Sequence, residues 1–370
     1  MRKRLVSAAL AAAMALSMTA CTSNPAEKET EAAAPADTEA AEEGEEKEAA
    51  ADGDLITVGY AQVGAESDWR TANTESFKST FTEENGYKLI FDDAQQKQEN
   101  QLTAIRNFIQ QEVDYIVLAP VTETGWDTVL QEAKDAGIPV IIVDRMVDVS
   151  DDSLYTTWIG TDSLLEGRKA AEWLNAYTTA KGIDAKDVNI VDIQGTIGST
   201  AQIGRSKGLE EGVDNYGWNL LAQQSGEFTQ AKGQEVMESI LKQSGDDIDV
   251  VYCENDNEAF GAIDALKAAG KTYGKDGDII IISFDATNAG LKNVKEGSIN
   301  ADFECNPLAA PYLEDIIKKI KDGGKPDNQK VYVDEACFAC DDTVSSFKTD
   351  EGKEITMTVV DDKVLKERAY

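Results

Sequence analysis

From Leu55 onward, two rhythms of apolar and polar positions alternate along the chain. Short apolar runs recur at LITVGYAQV (55–63), YKLIFDD (87–93), DYIVLAP (114–120), IPVIIVD (138–144) and VNIVDIQG (188–195). They continue at WNLLAQQSG (218–226), IDVVYCEN (248–255), DIIIISFD (278–285) and INADFEC (299–305). Several are continuous rather than alternating, which predicts parallel strands covered on both faces. Between them the spacing turns helical. In NQLTAIRNFIQQ (100–111), Leu102, Ile105, Phe108 and Ile109 share one stripe, and TGWDTVLQEAKDAG (124–137) closes on Gly137 before Ile138-Pro139. A β-α rhythm of this length predicts an α/β fold with parallel sheets. It restarts near residue 160, giving two similar Rossmann-like lobes, and about 315 residues suit two domains.

Residues 1–54 follow neither rhythm. MRKRLVSAALAAAMALSMTAC sets Arg2, Lys3 and Arg4 before a short apolar stretch, the pattern of a secretory signal (1–20) too short to span a bilayer. Met18-Thr19-Ala20-Cys21 resembles a bacterial lipobox, in which Cys21 is acylated and becomes the first mature residue. Residues 21–54 are Ala, Glu, Pro, Thr and Asp with almost no large apolar side chain, which predicts a disordered acidic linker. The expected location is extracytoplasmic, on the outer face of the cell membrane, anchored through lipid on Cys21.

Charge and composition remove whole classes of function. The net charge is −34 with no basic tract after the signal, so nucleic acid is excluded as a partner. The chain has no histidine, which excludes Ser-His-Asp and Cys-His catalysis and every His-ligated metal site. Besides Cys21 there are Cys253, Cys305, Cys337 and Cys340. Cys337-x-x-Cys340 admits a disulfide, a redox pair or half a zinc site; zinc needs two further thiolates from distant segments, so two ordinary thiols are expected. AAGKTYG (268–274) has Ala265 where a P-loop requires glycine. Asp246-Asp247 and Asp341-Asp342 lack calcium-loop spacing. No metal and no cofactor are expected.

In open parallel sheets, ligands bind outside the carboxyl ends of the strands, so the residues that end each apolar run are the informative ones. The run V-I-I-V ends on Asp144-Arg145, and the first strand leads into Q-V-G-A-E-S-D-W-R (62–70). Others end in Gln194-Gly195 with Arg205 soon after, in Glu254-Asn255-Asp256, in Asp285, and in Glu304-Cys305-Asn306. Asp, Asn and Arg together offer acceptors and donors in fixed directions, which suits vicinal hydroxyls, and the planar guanidinium donates bidentately. Trp69, in a loop beside Glu66, Asp68 and Arg70, and Phe228 offer flat faces for the C–H side of a sugar. Trp126, Trp158, Trp173 and Trp218 lack polar company and are assigned to packing.

At these residues the chain resembles the sugar-binding proteins of ABC importers, the type I periplasmic-binding fold. The resemblance runs from about Ile56 to the C-terminal region, on VDR (143–145), GRSKGLE (204–210), ENDNEAFGAI (254–263) and SFDAT (283–287). QVGAESDWR (62–70), DDAQQKQENQ (92–101) and APVTETGW (119–126) are similar to the galactofuranose-binding branch. It implies sugar contacts from Glu66, Ser67, Asp68, Trp69, Arg70, Asp144, Arg145, Arg205, Asn255 and Asp285. Asp68 departs from the branch, which has glycine there. Ribose binders carry glutamine at the position of Cys305, which points away from ribose.

These readings give a monomeric lipoprotein that binds a monosaccharide, galactofuranose or a related hexose, between two lobes and delivers it to ABC permease subunits by hinge closure. The N-terminal lobe is expected over 55–158 plus 306–335 and the C-terminal lobe over 159–305 plus 336–370. The three-segment hinge is expected near Thr157–Gly160, Cys305–Pro307 and Glu335–Phe338. The alternatives are a sugar-sensing protein feeding a receptor, or a secreted carbohydrate-active enzyme with Asp144 and Asp285 as its carboxylates. Arg145 beside Asp144 favours the ionised form over a general acid, so no catalytic residue is assigned.

Overall fold

The computed structural model describes residues 55–370; the signal, Cys21 and the acidic linker lie outside the described residues. The chain builds two parallel sheets in turn. The first contains β1 (Ile56–Gln62), β2 (Tyr87–Asp93), β3 (Tyr115–Leu118), β4 (Val140–Val143) and β5 (Thr157–Gly160). The second begins with β6 (Asn189–Gln194), β7 (Asn219–Ser225), β8 (Val250–Cys253), β9 (Ile280–Asp285) and β10 (Ala301–Glu304). In each, the strand order reverses beside the first strand: β2-β1-β3-β4-β5 and β7-β6-β8-β9-β10. A doubly wound sheet opens its ligand crevice at that reversal.

The chain then returns. β11 (Lys330–Tyr332) joins the first sheet beside β5, while β12 (Cys337–Ala339) runs antiparallel to β10 in the second and pairs on with β15 (Thr358–Val359). A small hairpin, β13 (Ser346–Lys348) with β14 (Glu354–Thr356), precedes β15. None of these late strands exceeds three residues, and β11 is mostly exposed, so no apolar run marks them in the sequence. The chain thus passes between sheets after Gly160, between Glu304 and a helix starting at Ala310, and between Tyr332 and Cys337. Ile159 pairs with Val143 and Gly160 with Tyr332, so the first passage lies slightly later than the expected division at residue 158.

Helices cover both faces of both sheets: α1 (Asp68–Thr80), α2 (Gln98–Gln110), α3 (Asp127–Asp135), α4 (Ser163–Lys181), α5 (Thr200–Tyr216), α6 (Gln230–Ser244), α7 (Asp256–Ala268), α8 (Asn288–Glu296), α9 (Ala310–Lys321) and α10 (Asp362–Glu367). Four apolar clusters result, one on each sheet face. That is why β3, β4, β8 and β9 are buried at every position. Cys337 packs on one face of the second sheet and Cys340 on the other, so the two thiols point apart and remain free.

Glycine decides one helix contact that matters for the site. A Cβ on Gly204 would lie 2.6 Å from the backbone of Ser163, and one on Gly208 would lie 2.5 Å from that of Arg168. The two glycines of GRSKGLE therefore let α5 lie directly on α4.

Candidate functional site

The carboxyl edges of the two sheets face each other across a cavity of about 290 Å³, part of it open to solvent. Its N-lobe wall is Glu66, Ser67, Trp69 and Arg70 from the β1–α1 turn, with Asp144 and Arg145 after β4. Its C-lobe wall is Ala201 and Arg205 of α5, Phe228 before α6, Asn255 before α7 and Asp285 ending β9, with Cys305 on the second passage. Of the residues expected to contact sugar, all except Asp68 line this cavity. Asp68 is exposed; it opens α1, and its backbone N–H donates to Asn257 Oδ1 of the opposite lobe at 3.0 Å.

Helix starts hold several of these side chains in place. The Ser67 hydroxyl caps α1 by accepting from the Arg70 N–H at 3.1 Å, and Asn255 Oδ1 caps α7 by accepting from the Glu258 N–H at 2.8 Å. Asn255 Nδ2 donates to the Phe228 carbonyl at 3.2 Å. Asp144, Phe228 and Asp285 have φ of +62°, +61° and +102°, a region that side chains with a Cβ seldom occupy. Asp144 is held there by the Ile159 carbonyl, which accepts from its N–H at 2.8 Å, and by the Trp158 indole, which donates to its carbonyl at 2.9 Å. Such strain persists only where the surroundings over-determine it, and it aims these groups into the cleft.

Charge in the cavity is almost fully internalised. Arg70, Arg145 and Arg205 expose 1%, 3% and 2% of their surface, so an unpaired guanidinium would be costly. Arg70 Nε meets Glu66 Oε1 at 2.9 Å, and its Nη2 meets Asp144 Oδ2 at 2.7 Å. Arg145 lies 3.6 Å from the same Glu66 oxygen, while its Nη1 donates to the Val121 carbonyl at 3.0 Å. Arg205 Nε meets Glu166 Oε2 at 2.7 Å, Asp285 lies 3.5 Å away, and Nη1 donates to the Glu254 carbonyl. Burial pushes the Glu66 carboxyl up, but Arg70 and Arg145 together hold it below the usual carboxylate range. Burial raises Asp285 well above its usual value, with Arg205 only partly opposing. Glu66 Oε2 and Arg70 Nη1 are buried without a protein partner, one acceptor and one donor on the cavity wall.

Aromatic faces complete the walls. The Trp69 indole donates to the Cys305 carbonyl at 2.5 Å, fixing the ring against the second passage, and Arg70 stacks 4.6 Å from its centroid. Phe228 seats against Gly195, where an added Cβ would come within 1.9 Å of its ring. Trp126, Trp158, Trp173 and Trp218 are buried in the apolar clusters.

Other polar strand ends turn away from the cavity. Gln194 Nε2 donates to Ser206 Oγ at 2.8 Å. The Glu254 carboxylate accepts from the Gly195 N–H at 2.7 Å and from Ser206 Oγ at 2.6 Å, bracing the backbone behind Phe228. Glu304 accepts from Arg368 Nη1 at 2.7 Å and from the Ala336 N–H at 2.6 Å. Glu166, which anchors Arg205, was not singled out from sequence. An acid in the first turn of a helix reads as an ordinary partner for the helix N-terminus.

The two edges also touch directly. Glu123 N–H donates to the Gly198 carbonyl at 3.0 Å, while the Thr200 hydroxyl donates to Glu123 Oε1 at 2.6 Å and accepts from the Met146 N–H at 2.7 Å. Among the described residues, no cluster of three or more metal-binding side chains occurs.

Residues 58–324 match the periplasmic binding protein domain. Galactofuranose-binding protein YtfQ of Escherichia coli (strain K12) is 44% identical over 276 residues, 74% of this chain and 84% of that protein. A solved Mycobacterium smegmatis protein in complex with β-D-fucofuranose has a TM-score of 0.73 at 46% identity, covering 78% of this chain and 93% of that one. The binding protein of the arabinose ABC transporter from Shewanella sp. ANA-3, bound to α- and β-L-arabinofuranose, has a TM-score of 0.72 at 42% identity, covering 78% and 93%. The first and last of these are named as binding proteins, and with the match spanning both sheets the chain belongs to the periplasmic binding protein family.

Proposed function

We propose that this chain captures a monosaccharide in its five-membered furanose form, galactofuranose or a close relative, and hands it to an ABC importer. The observation that carries the reading is the cavity itself, with three arginines, three carboxylates and two aromatic faces drawn from both lobes. Each guanidinium already has a carboxylate partner, so the pocket suits a neutral ligand better than an ion. Sugar hydroxyls both donate and accept, which matches carboxylate oxygens and guanidinium N–H groups on facing walls. Of the relatives above, one is named for a furanose and two were solved with one bound, which supports the ring form.

Delivery follows from the two-walled cavity. A ligand held by both lobes binds the closed arrangement better than the open one, and that difference shifts the population. The three passages serve as the hinge, and the importer distinguishes loaded from empty protein by shape. The lipobox-like Met18–Cys21 supports a lipid anchor on the outer face of the membrane, and the protein acts there as a monomer. Calorimetry with methyl galactofuranoside and methyl galactopyranoside tests the assignment. The furanoside is expected to bind and be recovered unchanged; equal affinity for both rings would remove the furanose preference, and turnover would replace transport with catalysis.

A further inference from the structure

The segment that follows α10 reaches back to the edge of the cleft. Asp361 caps α10 by accepting from the Lys363 and Val364 N–H groups at 2.9 Å each, and Val364 and Leu365 pack on the second sheet. The chain leaves that helix extended at Arg368, whose side chain is only 9% exposed. Arg368 Nη1 meets Glu304 Oε1 at 2.7 Å, and Nη2 donates to the Tyr370 hydroxyl at 2.5 Å. That hydroxyl donates in turn to the same Glu304 oxygen at 2.5 Å, which closes a ring of three side chains. The guanidinium also lies over the Tyr370 and Phe338 rings, 4.0 and 5.4 Å from their centroids. A longer contact, 3.4 Å, runs from Nη2 to the Asp285 carbonyl.

We propose that Arg368 and Tyr370 are positioning residues for the sugar site: they hold the Asp285 backbone in place and clasp the second and third passages to the C lobe. This rests on the reading of Asp285 as a sugar contact. Asp285 and Glu304 are register partners ending β9 and β10, so one guanidinium joins both strand ends. The φ of +102° at Asp285 persists only where neighbours over-determine it. Glu304 carries the linkage onward, since its Oε2 accepts from Ala336 N–H at 2.6 Å and its own N–H donates to the Ala336 carbonyl at 3.0 Å. Glu335 beside it meets Lys169 of α4 at 3.0 Å. The far ends of both passages are held by the N lobe instead. There the Pro307 carbonyl accepts from Asn73 Nδ2 at 2.8 Å, and Val333 N–H donates to the Gly160 carbonyl at 2.9 Å. Bending in these two passages is thereby confined to Cys305–Asn306 and Asp334, the few positions between the anchors.

Arg368→Met tests this by removing the charge and its donors while leaving an unbranched apolar side chain. Hydrogen exchange is read at single amides without sugar. Glu304 and Ala336 are expected to exchange at least about tenfold faster, while Val333, held by the N lobe, keeps its rate. Unchanged exchange at Glu304 and Ala336, or an equal rise at Val333, overturns the proposal. Affinity for methyl galactofuranoside is expected to fall about fivefold or more. That fall should vanish in an Asp285→Ala background, titrated at correspondingly higher sugar, because misplacing a side chain costs nothing once it is absent. Undiminished affinity, or losses that add in full, overturn the positioning role. Should Arg368→Met not fold, Tyr370→Phe removes only the hydroxyl that closes the ring. The same exchange pattern is expected there, and an unchanged pattern overturns the proposal. If the unsubstituted protein binds no furanoside, the functional reading fails, while exchange at Glu304 and Ala336 still decides the clasp.

Discussion

Arg145 and Phe228, carried by opposite lobes, meet across the cleft with the guanidinium carbon 5.2 Å from the ring centroid. The phenyl ring has no room to retreat, because Gly195 lies directly behind it. Gly195→Ala should therefore push Phe228 into the space the sugar needs. A drop in affinity of at least about tenfold is expected, with unfolding moved by no more than the 1–3 kcal/mol typical of overpacking. Calorimetry beside a thermal melt checks it; undiminished affinity would mean that the ring is not a wall of the binding space.

Arg145→Ala removes the cation itself. Losing a charged hydrogen bond costs about 1.5–3 kcal/mol, so binding should weaken at least tenfold. The protein should still unfold cooperatively, since Arg70 continues to neutralise Glu66 and Asp144. Full affinity in a normally folded variant would take Arg145 out of the site.

Thr200 bridges the lobes through Glu123 and Met146. Thr200→Val deletes both hydrogen bonds while keeping the side chain's shape. At about 1 kcal/mol each, the closed arrangement should lose roughly tenfold or more in lifetime, seen as faster sugar release in stopped flow. Small-angle scattering on the unsubstituted protein should show a smaller radius of gyration with saturating sugar. An unchanged radius alongside tight binding would rule out closure.

Asp192 of β6 is fully buried, with one carboxyl oxygen accepting from Gln223 Nε2 at 3.1 Å and the other without a protein donor. Burial pushes this carboxyl up to about 7, with Gln223 opposing and Glu210 adding to the rise. Its folded value exceeds the unfolded value of about 3.9, so the proton stabilises the fold. That contribution is complete below the unfolded value and is lost as pH rises to about 7. Asp192→Asn should abolish this component: across the window, the unsubstituted protein should lose up to about 1.4 kcal/mol per pH unit relative to the variant. Denaturant melts at several pH values measure the difference, and a constant gap would show that Asp192 is ionised when folded.

Cys21→Ser should release the protein from the membrane fraction into the medium, because no acylation site would remain at the lipobox-like sequence. Unchanged membrane association would place the anchor elsewhere.

Much of the site was legible because a parallel sheet advertises its binding edge. An apolar run must stop where burial stops, so Asp144, Arg145, Asn255 and Asp285 stand out as abrupt polar endings. The same rule marks Glu254 and Glu304, although both turn inward to structural partners, and nothing in local sequence says which way a carboxylate points. Glu166 was hidden for another reason. It reaches Arg205, 39 positions away, only because the glycines of α5 bring two helices into contact, and that proximity has no local signal. The late strands escaped because two or three residues at a sheet margin carry no period to read.

The four cysteines among the described residues are all buried, all unbridged, and divided between the clusters and the cleft. Burial raises each thiol above its usual value, pushing Cys337 and Cys340 up to about 12. The reactive thiolate is correspondingly scarce. Nothing covalent has to be closed for either lobe to reach its native packing, so the fold is indifferent to the redox poise of its surroundings. The same structure is available in reducing and in oxidising media, and no oxidant or isomerase is needed to reach it.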